Sequence, residues 1–149
     1  MSDKFADYKD KLPEWVKSEE DFESYKIKHT AEHIFSQAAL ELWPNKINRA
    51  LAHISEDKFA NDAMWDESPS EEDFEKIENK MREIINKKLE MKREEISADE
   101  ARKIFEGNKY KLEMIDELDV RGEKITVYHT GDSFIDLCKG PHVDNTKEI

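Results

Sequence analysis

The stretch SPSEEDFEKIENKMREIINKKLEMK, residues 68–92, constrains the fold of this chain more than any other segment. Ser70 stands near its start, where a hydroxyl can accept a hydrogen bond from the first turn of a helix. Apolar side chains then recur at helical spacing, at Phe74, Ile77, Met81 and Ile84 or Ile85. The pattern therefore predicts one long amphipathic helix, which is the clearest element in the sequence.

A second long helix is predicted ahead of this one. The letters SEED, residues 18–21, are typical of an N-cap followed by acidic first-turn residues, which suit the N-terminal end of a helix. We expect this helix to run through Leu42, because Pro44 stops its continuation. Residues 49–57 and 58–66 then alternate imperfectly between apolar and polar side chains, which predicts two strands.

The last third of the chain predicts another helix and another pair of strands. Ser97 and Glu100 form a predicted capping box, and Gly107 suits the end of that helix. The next segment, KYKLEMIDEL, is ambiguous, whereas KITVYHTGDSFIDLCKG predicts two strands joined by a tight turn at Gly131. This order of elements predicts an α+β fold in which an antiparallel sheet packs against a long helix.

Length and charge limit the architecture and the partners. At 149 residues the chain suits one compact domain, predicted over residues 18–149, preceded by a polar arm over residues 1–17. The formal net charge of −12 argues against a protein that coats duplex nucleic acid, because such a protein needs a basic surface. That charge still allows a local pocket for a short single-stranded end, bound weakly.

Cysteine usage and apolar content predict the compartment. The single cysteine excludes an internal disulfide and points to a reducing environment. The N-terminus lacks the apolar segment of a signal peptide, and no apolar run approaches the length of a membrane span. We therefore expect a soluble cytoplasmic protein with no membrane partner.

Four of the six histidine and cysteine residues form two pairs with four-residue spacing. His29 and His33 lie side by side on the predicted helix. Cys138 and His142 flank a Gly-Pro loop after the last predicted strand, where backbone shape sets the side-chain directions. Thiol and imidazole groups are common metal ligands, nucleophiles and bases. Three chemistries remain open: a zinc site, a cysteine nucleophile with a histidine base, and metal-free hydrolysis by a positioned water.

The letters HTAEH also match H-x-x-E-H, the inverted motif of zinc peptidases. In such an enzyme Glu32 would be the general base. Five-residue patterns arise often by chance, and these peptidases need a distant acidic ligand within a much larger fold. We therefore expect Glu32 to be a solvated helix residue.

Three segments together resemble the editing domain of bacterial threonyl-tRNA synthetase, which is the second N-terminal domain of that enzyme. They are KHTAEHIFSQAALELWP, DEARKIFEGNKYKLEMID and FIDLCKGPHVDN, so the resemblance runs from about Lys26 to Asn145. That domain is related to the editing domain of alanyl-tRNA synthetase and to free-standing alanyl-tRNA deacylases. The resemblance implies an aminoacyl-tRNA deacylase, an ester hydrolase that removes serine mistakenly attached to threonine tRNA.

The resemblance also implies roles for individual residues. It places four side chains around the editing pocket, as catalytic groups or, if zinc is bound, as its ligands: His29, His33, Cys138 and His142. Tyr110 and Lys111 match a Tyr-Lys pair whose lysine acts on the hydrolytic water or the ester. Asp136 matches an aspartate suited to the seryl ammonium. We expect His29 to contact the ribose hydroxyl or a water, and Cys138 to hold a water rather than attack the ester.

The family also sets the expectations for cofactor and partners. Alanyl-type relatives hold zinc with this ligand set, whereas the threonyl-type pocket is usually described without it, so no bound cofactor is expected. The implied partners are the 3′ end of a tRNA that carries a seryl ester and the rest of a synthetase. The abrupt end at Ile149 favours a fragment over a free-standing deacylase.

The sequence departs from the family pattern between the two long helices. Ala52 and His53 replace a Gly-Pro pair, and residues 58–62 replace an aromatic run that could stack on a terminal base. Two alternatives to the seryl-tRNA deacylase therefore stay open. One is a degenerate module that only docks tRNA, and the other is a zinc-binding deacylase of the alanyl-tRNA type.

Overall fold

The computed structural model describes residues 2–44 and 47–149, and at residues 48–50 it describes the backbone alone. Within those residues the helices and strands are α1 (Asp3–Tyr8), α2 (Glu19–Leu42), β1 (Ile47–Ile54), β2 (Phe59–Trp65), α3 (Glu71–Asn86), β3 (Met91–Ile96), α4 (Ala98–Ile104), α5 (Lys109–Val120), β4 (Ile125–Thr130) and β5 (Phe134–Leu137). Two short 3₁₀ helices cover Lys9–Lys11 and Thr146–Glu148. In this part of the chain, none of the helices is both long and apolar enough to cross a membrane.

The strands form two antiparallel sheets among the described residues. β1 and β2 make a hairpin, and β4 lies between β3 and β5 in a three-stranded sheet. In the second sheet Val127 pairs with Glu94 on one side and with Leu137 on the other. The α+β fold with antiparallel sheets that the sequence predicts is therefore confirmed.

Two apolar clusters join the helices to each other and to the sheet. The first packs α2 on α3 through Ile34, Ala38, Ile77 and Ile84. The second joins α4 and α5 to the three-stranded sheet through Ala101, Phe105, Ile115, Ile125, Val127 and Leu137. Each helix buries the apolar face that it cannot leave in water. Fixed on α3 in this way, α2 presents its His29–His33 turn to the loop after β5.

Side-chain caps explain where the main helices begin. Ser18 and Ser70 each complete a capping box with the aspartate three residues later, at the starts of α2 and α3. Ser97 accepts a hydrogen bond from the backbone N–H three residues on, at the start of α4. Both predicted long helices are confirmed, but α3 ends at Asn86, and Met91 and Lys92 at the end of the predicted helical stretch belong to β3. The packed face of α3 begins at Ile77, however, and Phe74 in its first turn remains 51% exposed.

The sequence analysis did not predict β3 or α5, nor the short helix α1 within the predicted polar arm. β3 reads MKREEI, and only Met91 in it is buried while the next four side chains are exposed. A charged strand of this kind suits a sheet edge, where charge discourages pairing with other chains. The ambiguous segment forms α5, which Asn108 caps and which buries Lys111 and Ile115 on one face.

The N-terminal arm packs against α2. The rings of Phe5 and Phe22 stack with centroids 5.1 Å apart, and Val16 is buried in the same cluster. Met1, the first residue of the predicted arm, lies outside the described residues. Residues 2–17 thus contribute to the apolar core, and the boundary at residue 18 stays a prediction.

Candidate functional site

The loop after β5 brings Cys138 against α2. The Sγ atom of Cys138 lies 3.3 Å from Nε2 of His29 and 3.3 Å from Nε2 of His142. The backbone N–H of Gly140 also donates to this sulfur, at 3.2 Å. Gly140 has a φ of +84°, a conformation that a residue without Cβ adopts readily. The two histidine- and cysteine-containing pairs of the sequence therefore meet at one point.

Hydrogen bonds on the far side of each ring fix the orientation of two imidazoles. Nδ1 of His29 lies 2.9 Å from the carbonyl oxygen of Pro141, which can only accept, so Nδ1 carries the proton. Nδ1 of His142 lies 3.0 Å from the hydroxyl of Thr30, which in turn accepts the N–H of Val143 at 3.1 Å. Such outer contacts fix tautomer and direction, as in many metal-binding histidines. Both Nε2 atoms are thereby aimed at the sulfur.

Burial keeps His29, His142 and Cys138 uncharged at neutral pH. It lowers the pKa of His29 to about 4 and that of His142 well below its ordinary value, the latter helped by the neighbouring imidazoles of His29 and His33. The rings of His29 and His142 are stacked with centroids 4.0 Å apart. Burial also raises the pKa of the Cys138 thiol far above its usual range. The cluster is thus built from neutral imidazoles and a protonated thiol.

A buried ion pair forms the next part of the site. Nζ of Lys111 on α5 lies 3.3 Å from Oδ1 of Asp136 on β5, and both side chains are buried. The backbone N–H of Leu137 donates to the same carboxylate oxygen at 2.9 Å. The other oxygen of Asp136 lies 3.9 Å from Nε2 of His33. Lysine, aspartate and histidine from three elements therefore stand around one point.

One small cavity collects most of these side chains. Its volume is about 180 Å³, and its walls include His29, His33, Lys111, Asp136 and Cys138 together with Glu32, Asn61, Ala52 and Met114. The sequence-predicted residues come together here, with two exceptions described next.

His142 and Tyr110 do not line this cavity. His142 reaches the cluster through its Nε2 atom, while its ring packs on Tyr128 with centroids 4.4 Å apart and borders a separate cavity of about 240 Å³. Tyr110 is half-buried, and Nζ of Lys109 lies 5.1 Å from its ring centroid. His53, the extra imidazole in the altered stretch, is exposed and lies 2.8 Å from Asp62.

The prediction for Glu32 is wrong. Its side chain is only 2% exposed and lines the cavity, where Oε1 accepts hydrogen bonds from Ser36, at 2.8 Å, and from Asn61. The available signal was the spacing, because a residue three positions after His29 lies on the same helix face. Asn61 was missed for a different reason, since its contribution depends on how β2 lies across α2.

The donor set also fits a metal ion. One ligand atom from each of His29, His33, Cys138 and His142 lies within 4.8 Å of the others. Imidazole nitrogen and thiolate sulfur are the donors that zinc prefers. The outward hydrogen bonds of two of the histidines leave their Nε2 atoms directed inward, as zinc binding requires. These four residues could therefore hold a zinc ion.

Comparison with known protein families gives a match over the last two strands and the loop that follows them. Residues 125–149 match the model of the Threonyl and Alanyl tRNA synthetase second additional domain. This segment contains β4, β5 and the loop that carries Cys138 and His142. The match therefore includes half of the histidine–cysteine cluster.

Curated relatives extend the similarity over most of the chain. A threonine–tRNA ligase from Rubrobacter xylanophilus is 42% identical over 125 residues, which are 84% of this chain and 19% of the relative. The ligase from Thiobacillus denitrificans is 38% identical over 83% of this chain and 19% of its own length. For the ligase from Thermotoga petrophila the values are 38%, 80% and 18%. The resemblance to threonyl-tRNA synthetase is confirmed, and the chain spans about a fifth of the length of these relatives.

Proposed function

We propose that this domain hydrolyses the ester of a mischarged aminoacyl-tRNA, removing serine from threonine tRNA. The observation that carries the proposal is the cavity in which Lys111, Asp136, His29 and Cys138 meet. Similarity to threonine–tRNA ligases supports a place for this domain in a tRNA synthetase. The proposed partners are tRNA and the rest of a longer synthetase. A location in the cytoplasm stays a prediction.

Such an activity corrects errors that arise when a synthetic site selects its amino acid. A synthetic site that accepts threonine cannot strongly reject serine, because one methyl group discriminates by only about 1–3 kcal/mol. A second site too small for threonine can remove the error by hydrolysis. The cavity of about 180 Å³ has room for a compact aminoacyl group beside Lys111 and Asp136.

Lys111 and Asp136 provide charges for the ester and its amino group. The carboxylate of Asp136 accepts a charge-assisted hydrogen bond from the seryl ammonium. The ammonium of Lys111 stabilises the negative charge that develops on the carbonyl oxygen. Because the two side chains lie 3.3 Å apart and are buried, their positions are fixed before the substrate arrives.

Water, rather than the cysteine, is the proposed nucleophile. A protonated thiol attacks poorly, and burial raises the pKa of Cys138. Nε2 of His29 faces the sulfur and can accept a proton from a water held beside it. The water oxygen forms a bond to the carbonyl carbon, the carbon–oxygen bond to the ribose breaks, and the ribose oxygen takes the proton that His29 accepted from the water. Free serine and a tRNA with its terminal hydroxyl restored are the products.

A zinc ion would be held by His29, His33, Cys138 and His142, which fit it as a donor set. With only three of these residues bound and the fourth position open, zinc would act as a Lewis acid that polarises an oxygen. The contributions of Lys111 and Asp136 to substrate binding remain the same in that case. The same four residues in a structural zinc site would hold α2 against the loop after β5.

The negative net charge limits how this domain can bind tRNA. With a net charge of −12 the domain cannot rely on a broad basic face for the phosphate backbone. Affinity for the whole tRNA must then come from other parts of a longer protein or from contacts at the terminal adenosine. The isolated domain is expected to work slowly when the substrate is dilute.

The deciding experiment measures deacylation of seryl-, threonyl- and alanyl-tRNA side by side, with and without a chelator. The proposal expects rapid loss of the seryl ester and little loss of the threonyl ester. Hydrolysis that continues after metal removal separates the metal-free route from the zinc route. Untouched seryl-tRNA, or equal cleavage of the seryl and threonyl esters, would overturn the proposal.

A further inference from the structure

Glu32 is a buried carboxylate that the proposed hydrolysis does not use. It lies on the same turn of α2 as His29 and His33 and forms part of the cavity wall. Its side chain is 2% exposed. An acidic side chain is seldom placed so deeply without a specific partner or task.

Two neutral donors orient this carboxylate. Oε1 of Glu32 accepts from the hydroxyl of Ser36, one helical turn later, at 2.8 Å. It also accepts from the side-chain amide of Asn61 on β2, which donates to the Ser36 hydroxyl as well, at 3.2 Å. The three residues form a hydrogen-bonded cluster between α2 and the hairpin. The cluster fixes the direction in which Oε2 points.

Oε2 points toward the same place as the carboxylate of Asp136. Oε2 of Glu32 lies 4.0 Å from Nε2 of His33, and Oδ2 of Asp136 lies 3.9 Å from the same nitrogen. One ligand atom from each of the three residues lies within 4.8 Å of the other two. Two acceptors this close, on different walls, fit a small molecule that carries two donors on neighbouring carbon atoms.

A seryl group has those two donors, an ammonium on Cα and a hydroxyl on Cβ. With the ammonium on Asp136, as in the proposed function, the hydroxyl comes within reach of Glu32. An alanyl group has the same ammonium and lacks the hydroxyl. A site built to hydrogen-bond a substrate hydroxyl rejects the analogue that lacks it.

We propose that Glu32, oriented by Asn61 and Ser36, is a specificity-determining residue that accepts a hydrogen bond from the side-chain hydroxyl of the aminoacyl group. This inference rests on the proposed function and names the feature of the substrate that the site reads. It makes the cavity selective for hydroxyl-bearing aminoacyl groups over alanyl groups.

The test compares kcat/KM for seryl- and alanyl-tRNA in the wild-type protein and in Glu32→Ala. Removal of the carboxylate should lower the seryl value by roughly 10- to 100-fold and change the alanyl value little. Asn61→Ala, which removes only one orienting donor, should shift the ratio in the same direction by a smaller factor. Glu23→Ala is the matched control, because Glu23 is an exposed glutamate of the same helix that pairs with Lys26.

The ratio of the two substrates does not depend on how much of a variant is folded, since both values scale with the active fraction. A seryl-to-alanyl ratio in Glu32→Ala equal to that of the wild type would overturn the inference. Such a result would leave the proposed hydrolysis of seryl-tRNA standing. Failure of the Glu32 inference is therefore distinguishable from failure of the proposed function.

A binding measurement covers the case in which no ester is hydrolysed. Non-hydrolysable seryl and alanyl amides of 3′-amino-adenosine are titrated into the wild-type protein and into Glu32→Ala. The inference expects the seryl amide to bind the wild type more tightly than the alanyl amide, and the difference to vanish in the variant. Equal affinities in the wild type would overturn it, whatever the outcome of the deacylation assay.

Discussion

The Nζ atom of Lys111 lies 3.3 Å from the Oδ1 atom of Asp136, and both side chains are removed from water. Lys111 comes from α5 and Asp136 from β5, so the pair joins a helix to the sheet edge that carries the site. A buried charge that loses its partner is strongly destabilising. The pair therefore links the stability of the domain to its proposed chemistry.

Lys111→Ala should damage both properties. We expect unfolding in urea to cost about 3–5 kcal/mol less, because the carboxylate of Asp136 is left buried without the lysine. Deacylation of seryl-tRNA should fall by roughly 100-fold or more even at temperatures where the variant is folded, because the oxyanion loses its charge partner.

Lys109→Ala provides the control for this change. Lys109 lies two residues away on the same helix, and its Nζ lies 5.1 Å from the centroid of the Tyr110 ring. It should retain both the wild-type stability and the wild-type activity. If Lys111→Ala keeps the wild-type rate of deacylation, the lysine has no role in hydrolysis.

Gly140→Ala should disturb the loop that carries Cys138 and His142. A Cβ at this position would come within 2.6 Å of the Tyr128 hydroxyl, and the φ of +84° is already unfavourable for other residues. Gly107→Ala is a matched control, because its φ is +88° and nothing lies within 4 Å of the added Cβ. We expect Gly140→Ala to lose about 1–3 kcal/mol more stability than Gly107→Ala. Equal losses in urea unfolding would show that the loop simply moves aside.

The helices were predictable where local chemistry decides them. Ser18 and Ser70 mark the starts of α2 and α3 as predicted, and each N-cap is completed to a capping box by the aspartate three residues later. At Ser97, where the sequence predicts a capping box, the structure shows the hydrogen bond from Glu100 N–H to the Ser97 hydroxyl. β3 was not predictable, because Met91 is its only buried residue and its strand geometry depends on pairing with β4. A strand defined by its neighbour leaves no pattern of its own in the sequence.

Most residues of the site could be predicted, but the way they come together in space could not be predicted from spacing alone. The spacing of His29 and His33 suggested a shared face, but no spacing relates α2 to a loop more than a hundred residues later. The resemblance to a known family supplied that juxtaposition. Glu32 was misjudged because a charged residue on a helix is usually exposed, and its hydrogen bond from Asn61 depends on how the hairpin lies across α2.

Stability of the metal-free protein should fall as the pH drops below the ordinary pKa of histidine. The pKa of His29 is lowered to about 4 by burial, whereas in the unfolded chain it is about 6.5. Between these values the unfolded chain binds the proton and the folded protein does not. The stabilisation is therefore fully present above about pH 6.5 and is lost as the pH falls toward about 4, by on the order of 3 kcal/mol. His142, lowered in the same direction, adds to the effect.

Urea unfolding in the presence of a chelator, repeated from about pH 7.5 down to about pH 5, measures this slope. His29→Asn is the comparison, because asparagine can still donate to the carbonyl of Pro141 and does not titrate in this range. The slope should be shallower in His29→Asn than in the wild type. Identical slopes in the two proteins would argue against a buried neutral imidazole at this position.

Zinc binding should release protons in a number that the site chemistry fixes. His29 and His142 are neutral at pH 7, so they bind a metal without losing a proton, whereas the Cys138 thiol must lose one to become a ligand. Titration of chelator-treated protein with zinc in a weakly buffered solution should therefore release about one proton more for each ion bound in the wild type than in Cys138→Ala. Cys138→Ala should also bind zinc more weakly, while Thr30→Val should weaken binding without changing the proton count, because Thr30 only orients His142. Zinc binding without proton release in the wild type would mean that the sulfur is not a ligand, and the absence of any binding would leave hydrolysis to the metal-free route.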